Sequence, residues 1–414
     1  MNVWLGLGLK SAWSRRTSMS LVVVAIALST ALVLSIHQVG QDAKNSFSKA
    51  VSGVDLIVGA RASPLELLLN TVFQIGRGTA LIPVATGDNL RAIDGVAWAV
   101  PVALGDYVQR QPVVATSAAY FEHVQSAGQP LAFAQGRVFD APTEVVLGIK
   151  AAQALGASLG SEMNFSHGKF SGLAKQHDHV KFHVVGLLAA TGSPVDQAVW
   201  VSLAGFQAVH AGASESTFEG LMQQLDNRQG GQVNAWLLGL NNPATVFRVR
   251  RHIESMDTPP MTAVMPGVAL DELWQTLGIV QSTLTAVAWL VALGSGMGLA
   301  ATLLMSLHAR RKEIAVLRAC GAPSLGLVAV VLTEALATFC VGALLGIGML
   351  HTAIAIGGEL LRSATGVVLS HAWLSGETVV IVAGLGLITM VSALLPAWLS
   401  ATTSLNEGLN PRSL

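Results

Sequence analysis

Four apolar runs, each long enough to cross a bilayer, limit this chain more than any other feature. A hydrocarbon core takes about 20 predominantly apolar residues in helical form. The runs are Thr17–Ile36, Leu277–Leu307, Leu325–Ile356 and Thr378–Leu399. The second holds no charged residue and the third a single carboxylate, Glu334. The chain of 414 residues is 52% hydrophobic and only 12% charged, with a mean hydropathy of +0.56. Soluble domains hold about 25% charged residues, so composition and pattern agree on a membrane protein. The formal net charge is zero, which gives no global field for nucleic acid or a polyanionic substrate.

The first run follows Lys10, Arg15 and Arg16 and resembles the front of a secretory signal. Its apolar part is longer than the roughly 7–15 residues of a signal core, and no small-residue cleavage site follows it. It reads as a retained helix. Orientation follows from basic residues near the spans. The N-terminal segment has those three cations and no acid, and the connection after the second run has Arg310, Arg311, Lys312 and Arg318 against Glu313. The loop before the fourth run has Glu359 and Arg362, which cancel. The expected layout has residues 1–39 as a cytoplasmic segment and first span, and residues 40–273 outside. A second span (274–307), a cytoplasmic helix (308–324) and a third span (325–356) follow. A short outer loop (357–376), a fourth span (377–400) and a cytoplasmic tail (401–414) complete it.

The outer region holds short β-rich runs bounded by Gly, Pro, Asp or Asn: Val54–Ala60, Thr143–Ile149, Val180–Ala190, Ala198–Leu203 and Val233–Leu240. Helix-like stretches lie between them, after Ser63, before Gly156 and after Asn241. Asn242 is placed as an N-cap with Pro243 in the first helical position. The fold class is an α-helical membrane protein of four transmembrane helices, with a large α+β domain inserted between helices 1 and 2. The flanks Gln41–Val51 and Asp271–Gln281 lack breakers and read as outward continuations of the first two spans.

No catalytic constellation is present. The Gly6–Ser11 segment lacks phosphate-loop spacing, and no H-E-x-x-H occurs. Gly294 and Gly298, and again Gly342 and Gly346, have the G-x-x-x-G spacing that lets helix backbones approach in a membrane. Glu334 reads either as a structural partner of the headgroup zone or a loop cation, or as a gating or proton-coupling group. Cys320 reads as a small helix residue. His177, His179 and His183, with Asp178, share one face if a strand reaches back to His177. Such a set suits zinc, and the alternative is a solvated hairpin tip. The amphipathic stretch Ser63–Gly76 reads as a core stripe, with a substrate- or lipid-contacting helix as the alternative.

The stretch Ala309–Leu336 resembles the R-x-x-E-I-x-x-L-R-x-x-G-A segment, and the Glu-bearing helix after it, of the MacB/FtsX superfamily of ABC-transporter permeases. The matching positions are Arg310, Glu313, Ile314, Leu317, Arg318, Gly321, Ala322 and Glu334. The closing Leu395–Pro411 stretch, the basic N-terminal segment and the order of β-rich runs are similar to the family too. The resemblance implies a permease of the bacterial inner membrane whose segment after the second span is a coupling helix. That helix docks through Arg310, Arg311, Lys312 and Arg318 and an apolar face of Ile314, Leu317 and Val316. Gly321, Ala322 and Pro323 stop it. No ATPase domain precedes the first span, so ATP and magnesium belong to a separate cytoplasmic ABC ATPase subunit and no cofactor to this chain, zinc excepted. A second copy of the chain, or a related permease as in the lipoprotein-release branch, completes the transporter, and a periplasmic partner protein fits the same picture. The function implied is mechanotransmission, in which ATP-driven closure reshapes the outer domain. The alternative is an FtsX-like signalling or scaffold role at an envelope hydrolase. The size of the outer region favours transport.

Overall fold

The computed structural model describes residues 16–50, 52–74, 80–167, 176–210, 231–257, 259–365, 369 and 375–402. The chain divides into two compact units. One comprises Met1–Asp42, Gly278–Ala364 and Leu369–Leu414, and the other Ala43–Leu277 with Thr365–Val368.

The helices are α1 (Arg16–Lys49), α2 (Pro64–Thr71), α3 (Thr86–Arg91), α4 (Ala119–His123), α5 (Ile149–Leu155), α6 (Leu203–His210), α7 (Val246–Glu254), α8 (Pro266–Ala309), α9 (Arg311–Ala319), α10 (Ser324–Thr365) and α11 (Gly376–Thr402). The strands are β1 (Leu56–Ala60), β2 (Ile82–Pro83), β3 (Val96–Val108), β4 (Gln111–Thr116), β5 (Gln125–Ser126), β6 (Gln129–Pro130), β7 (Phe133–Gly136), β8 (Glu144–Leu147), β9 (Glu162–His167), β10 (Gln176–Leu188), β11 (Val199–Ser202), β12 (Gln232–Val233), β13 (Ala235–Leu240) and β14 (Met261–Val264).

In the Ala43–Leu277 unit ten strands form one mixed sheet in the order β14-β1-β13-β3-β4-β11-β8-β10-β7, with β9 pairing β10 and β3. The β4/β11 and β8/β10 pairs are parallel and the others antiparallel. Both faces of the sheet are covered, which is why its central strands read as continuous apolar runs rather than alternating ones. Side chains still alternate along each strand. Leu56, Val58, Val145, Leu147, Val199, Val201, Trp236 and Leu238 enter one core with Leu90 of α3, Ala151 of α5, Val209 of α6 and Ile253 of α7. Their neighbours Ile57, Val146, Trp200 and Leu237 enter the opposite core with Leu67 and Leu68 of α2 and Tyr120 of α4. Leu67 and Leu68 are fully buried, so the Ser63–Gly76 stripe is core where the structure describes it.

Two strands escape a reading of the sequence for physical reasons. The 13-residue β3 contains Pro101, which cannot donate to a ladder. It sits where β3 has run past its register with β4, and the Thr116 hydroxyl donates to the Pro101 carbonyl at 2.7 Å. The β3–β4 connection is the pair Gln109-Arg110 between the partners Val108 and Gln111. Gln109 has a φ of +54°, without the Asn or Gly that usually marks such a turn. Asn242 accepts from the Ala244 amide at 3.0 Å as expected, but a 3-10 turn, Pro243–Thr245, precedes α7.

The other unit is a bundle of α1, α8, α10 and α11. Met19, Ile26, Ala292, Leu299, Val331, Phe339, Leu385 and Ala393 fill its interior. Its outside is apolar as well, with Leu290 65%, Leu344 70% and Val380 71% exposed. Water would penalise such a surface by about 25 cal/mol per Å², whereas lipid does not. Inside the bundle, the Ser29 hydroxyl donates to the Ala25 carbonyl at 2.8 Å and that of Thr389 to the Leu385 carbonyl at 2.8 Å, each within its own helix. All four helices have the length and composition of membrane spans. They outrun the apolar runs that announced them: α1 continues through Gln41 to Lys49, α8 begins at Pro266, and α10 extends past Ile356 to Thr365.

Candidate functional site

The basic segment between α8 and α10 is a separate short helix. The Arg310 amide still bonds back to the carbonyls of Ser306 and Leu307, both at 3.2 Å, but its backbone leaves the helical region at φ −105°, ψ 16°. The α9 helix then starts, with Glu313 in its first turn and Arg318 in its last, the placement that the helix dipole favours. Gly321 ends it at φ +91°, a backbone conformation that a side chain would strain, and its amide bonds the Arg318 carbonyl at 3.0 Å. Pro323 follows and α10 begins at Ser324.

Helical spacing divides α9 into two faces. Arg311, Ile314, Ala315 and Arg318 lie on one. Ala315 is buried, Ile314 and Arg318 are half-buried, and Arg311 and Ile314 line a groove with Leu304, Leu307, His308, Leu399 and Thr402. Lys312, Glu313, Val316 and Ala319 lie on the other and are exposed, Val316 by 56%. The structure thus separates Ile314 and Val316, which the sequence placed on one docking face. The side chain of Leu317 lies outside the described residues. Arg310 and Glu313 approach to 3.8 Å, an exposed pair that contributes little.

Glu334 is 4% exposed in the bundle interior, one helical turn before Thr338, whose hydroxyl donates to the Glu334 carbonyl at 2.7 Å. It does not face outward from the bundle. The two glycine pairs behave differently. A Cβ on Gly342 would lie 2.7 Å from Ile26 Cγ2, and one on Gly346 would lie 2.6 Å from the Ala27 carbonyl oxygen, so both admit α1 to close contact. Among the described residues, Gly294 and Gly298 have nothing within 4 Å of such a Cβ.

The strand β10 does reach back to His177, but its pairing with β9 shifts register between His177 and Phe182. The side chains of His177, Asp178 and His179 lie outside the described residues. His183 Nδ1 is 4.0 Å from Glu162, whose carboxylate is held by Lys181 Nζ at 2.9 Å. That hydrogen bond and the ammonium charge keep the Glu162 carboxyl below the usual range. An ammonium already seated on the carboxylate opposes a divalent cation there. Among the described residues no three His, Cys, Asp or Glu side chains gather as metal ligands.

One ionisable pair has no signature in the sequence. Asp106 of β3 has a fully buried side chain, and His210 Nε2 at the end of α6 lies 3.6 Å from its Oδ1. Burial lowers the imidazole's affinity for a proton, but the Asp106 hydrogen bond and charge more than reverse this, and the His210 pKa is raised.

Comparison with known proteins adds family. Residues 19–256, more than half of the chain, match the MacB-like periplasmic core domain, and residues 285–405 match the FtsX-like permease C-terminal domain. No curated protein matches the chain. Among solved structures, the periplasmic region of MacB from Actinobacillus actinomycetemcomitans is similar at 12% identity and a TM-score of 0.33, covering 55% of this chain and 94% of that one. The extracellular domain of the noncanonic ABC-type transporter YknZ from Gram-positive bacteria is similar at 12% identity and a TM-score of 0.29, covering 51% of this chain and 98% of that one. The two family models alone carry the assignment.

Proposed function

We propose, from the premise that this chain belongs to the MacB/FtsX-type family of ABC-transporter permeases, that it transmits ATP-driven motion from a separate cytoplasmic ATPase to its sheet-bearing unit. Both termini and α9 lie in the cytoplasm in this reading, and the Ala43–Leu277 unit lies in the periplasm, entered by α1 and left by α8. The observation that carries it is the two-faced α9 helix: one face packs back on the bundle through Ala315, and the other presents Lys312 and Val316. A lever needs both, a fixed side and a free side of mixed charge and apolar character. The free side fits an ATPase groove with acidic and apolar walls. A second copy of this chain completes a homodimer with two such levers.

The unbroken α1 and α8 helices support transmission. Each continues beyond its apolar run as one helix, α1 through Gly40 and α8 through Gly278 without interruption. At Gly40 an added Cβ would collide with the Gln281 side-chain amide, so the two helices are closely apposed at that level. A photo-crosslinking residue at Val316 in cells is expected to trap an ABC ATPase. Crosslinks to lipid alone, with none to an ATPase, would refute the docking assignment.

A further inference from the structure

We propose that the groove behind α9 is a binding site for one anionic phospholipid, with the phosphate on His308 and Arg311 and acyl carbon along Leu304, Leu307, Ile314 and Leu399. The groove has a cavity volume of about 200 Å³ and is lined by these six residues and Thr402. Its composition is divided by position. Leu304 and Leu307 are the last leucines of α8, and Leu399 stands one turn before the end of α11, where each span leaves the hydrocarbon. His308 and Arg311 follow at once, at the level of phosphate headgroups. A wholly apolar occupant would leave the Arg311 guanidinium without a counter-charge, and a free anion would leave the leucines against water. A lipid answers both at one membrane depth, and cations beside a span favour an anionic headgroup.

The local hydrogen bonds agree. His308 Nδ1 donates to the Leu304 carbonyl at 2.9 Å, which fixes the ring; with both ring nitrogens protonated, Nε2 donates to a phosphate oxygen. The guanidinium of Arg311 offers the planar donors that suit a phosphate. The site needs only that α8 and α11 cross a membrane. It does not rest on ATPase docking, which uses the opposite face of α9. A bound lipid would fill the space under Ile314 and so stiffen the seat of the lever.

Native mass spectrometry of the full chain in detergent, supplied with phosphatidylglycerol or with phosphatidylcholine of the same acyl chains, tests this. The wild type is expected to retain phosphatidylglycerol in excess. Arg311→Gln and His308→Gln should each reduce the excess, the arginine change by about five-fold, the effect of one cation near a membrane surface. Arg311→Lys should keep most of it, and the distant Arg250→Gln all of it. Retained excess in the double Gln variant overturns the proposal, as does equal loss in Arg311→Lys and Arg311→Gln. Displacement of the lipid by inorganic phosphate would show a phosphate site instead. If the Gln variants lose a co-purifying ATPase while keeping the lipid excess, the groove serves a protein and the proposal fails.

Discussion

Replacing Gly346 by alanine isolates one packing contact of the bundle. The new methyl would stand 2.6 Å from the Ala27 carbonyl oxygen and 2.8 Å from Thr30 Cβ. Comfortable contact lies near 3.5–4.0 Å for carbon pairs, so α1 and α10 must part by about 0.5–1 Å. A gap of that size forfeits about a quarter to a half of the dispersion energy along the affected strip. Overpacking of this kind costs about 1–3 kcal/mol. Gly342→Ala should act alike, since its methyl meets Ile26 at 2.7 Å. Gly294→Ala and Gly298→Ala provide the contrast, because their methyls meet nothing within 4 Å. Thermal unfolding of the full chain in detergent should show a lowered midpoint for the first pair and none for the second. Equal losses in both pairs would refute the reasoning, because helix propensity favours alanine over glycine at all four positions and the loss would then not depend on contact with α1.

Three further outcomes follow from charges and backbone. Glu144 is bound by Arg137 at 2.5 and 2.8 Å and by the amides of Asp140 and Ala141, which hold its pKa down to about 2. Glu144→Gln should cost about 1–2 kcal/mol at neutral pH, a figure discounted for the exposed arginine. Because the folded pKa is depressed, this stabilisation is complete above the unfolded pKa of about 4.3 and fades as pH falls toward 2, so the variant and wild type should converge in acid. For His210 the sign reverses: its raised pKa gives stability that is full below an unfolded value of about 6.5 and lost as pH rises through the folded one. Hydrogen exchange around α6 in the full chain should quicken over that range, and His210→Gln should remove the pH dependence. Gln109→Gly should stabilise the β3–β4 hairpin by about 1 kcal/mol, the cost of a left-handed conformation in a non-glycine residue, as denaturant unfolding followed by fluorescence would report.

The spans were legible because a bilayer imposes a length and an apolar character that no soluble context requires over Leu277–Leu307. Strands β1, β8, β11 and β13 were legible as apolar runs between turn residues. β3 and β4 were hidden by Pro101, Pro112 and a turn that uses Gln109, and β14 by its short length between Pro260 and Pro266. In α9 the residue types and the stop at Gly321 were visible, but spacing alone does not say which face packs back. The choice is made by α8 and α11, whose Leu307 and Leu399 line one groove with Ile314, while Val316 stays exposed. The two glycine pairs are identical as motifs, but among the described residues it is Gly342 and Gly346 that have a helix, α1, against them. The Asp106–His210 pair joins β3 to α6 over nearly half of the sheet-bearing unit's sequence, and no local pattern connects them.

The most direct test of the central claim is ATP hydrolysis by affinity-purified complex, wild type beside a Lys312→Glu, Val316→Asp variant. Both changes fall on the exposed face of α9, so the bundle should fold and enter the membrane unaltered. The expected result is an ATPase subunit that co-purifies with the wild type, hydrolyses ATP, and is lost from the variant. A wild type with no ATPase, or a variant that retains it with undiminished hydrolysis, would contradict the account.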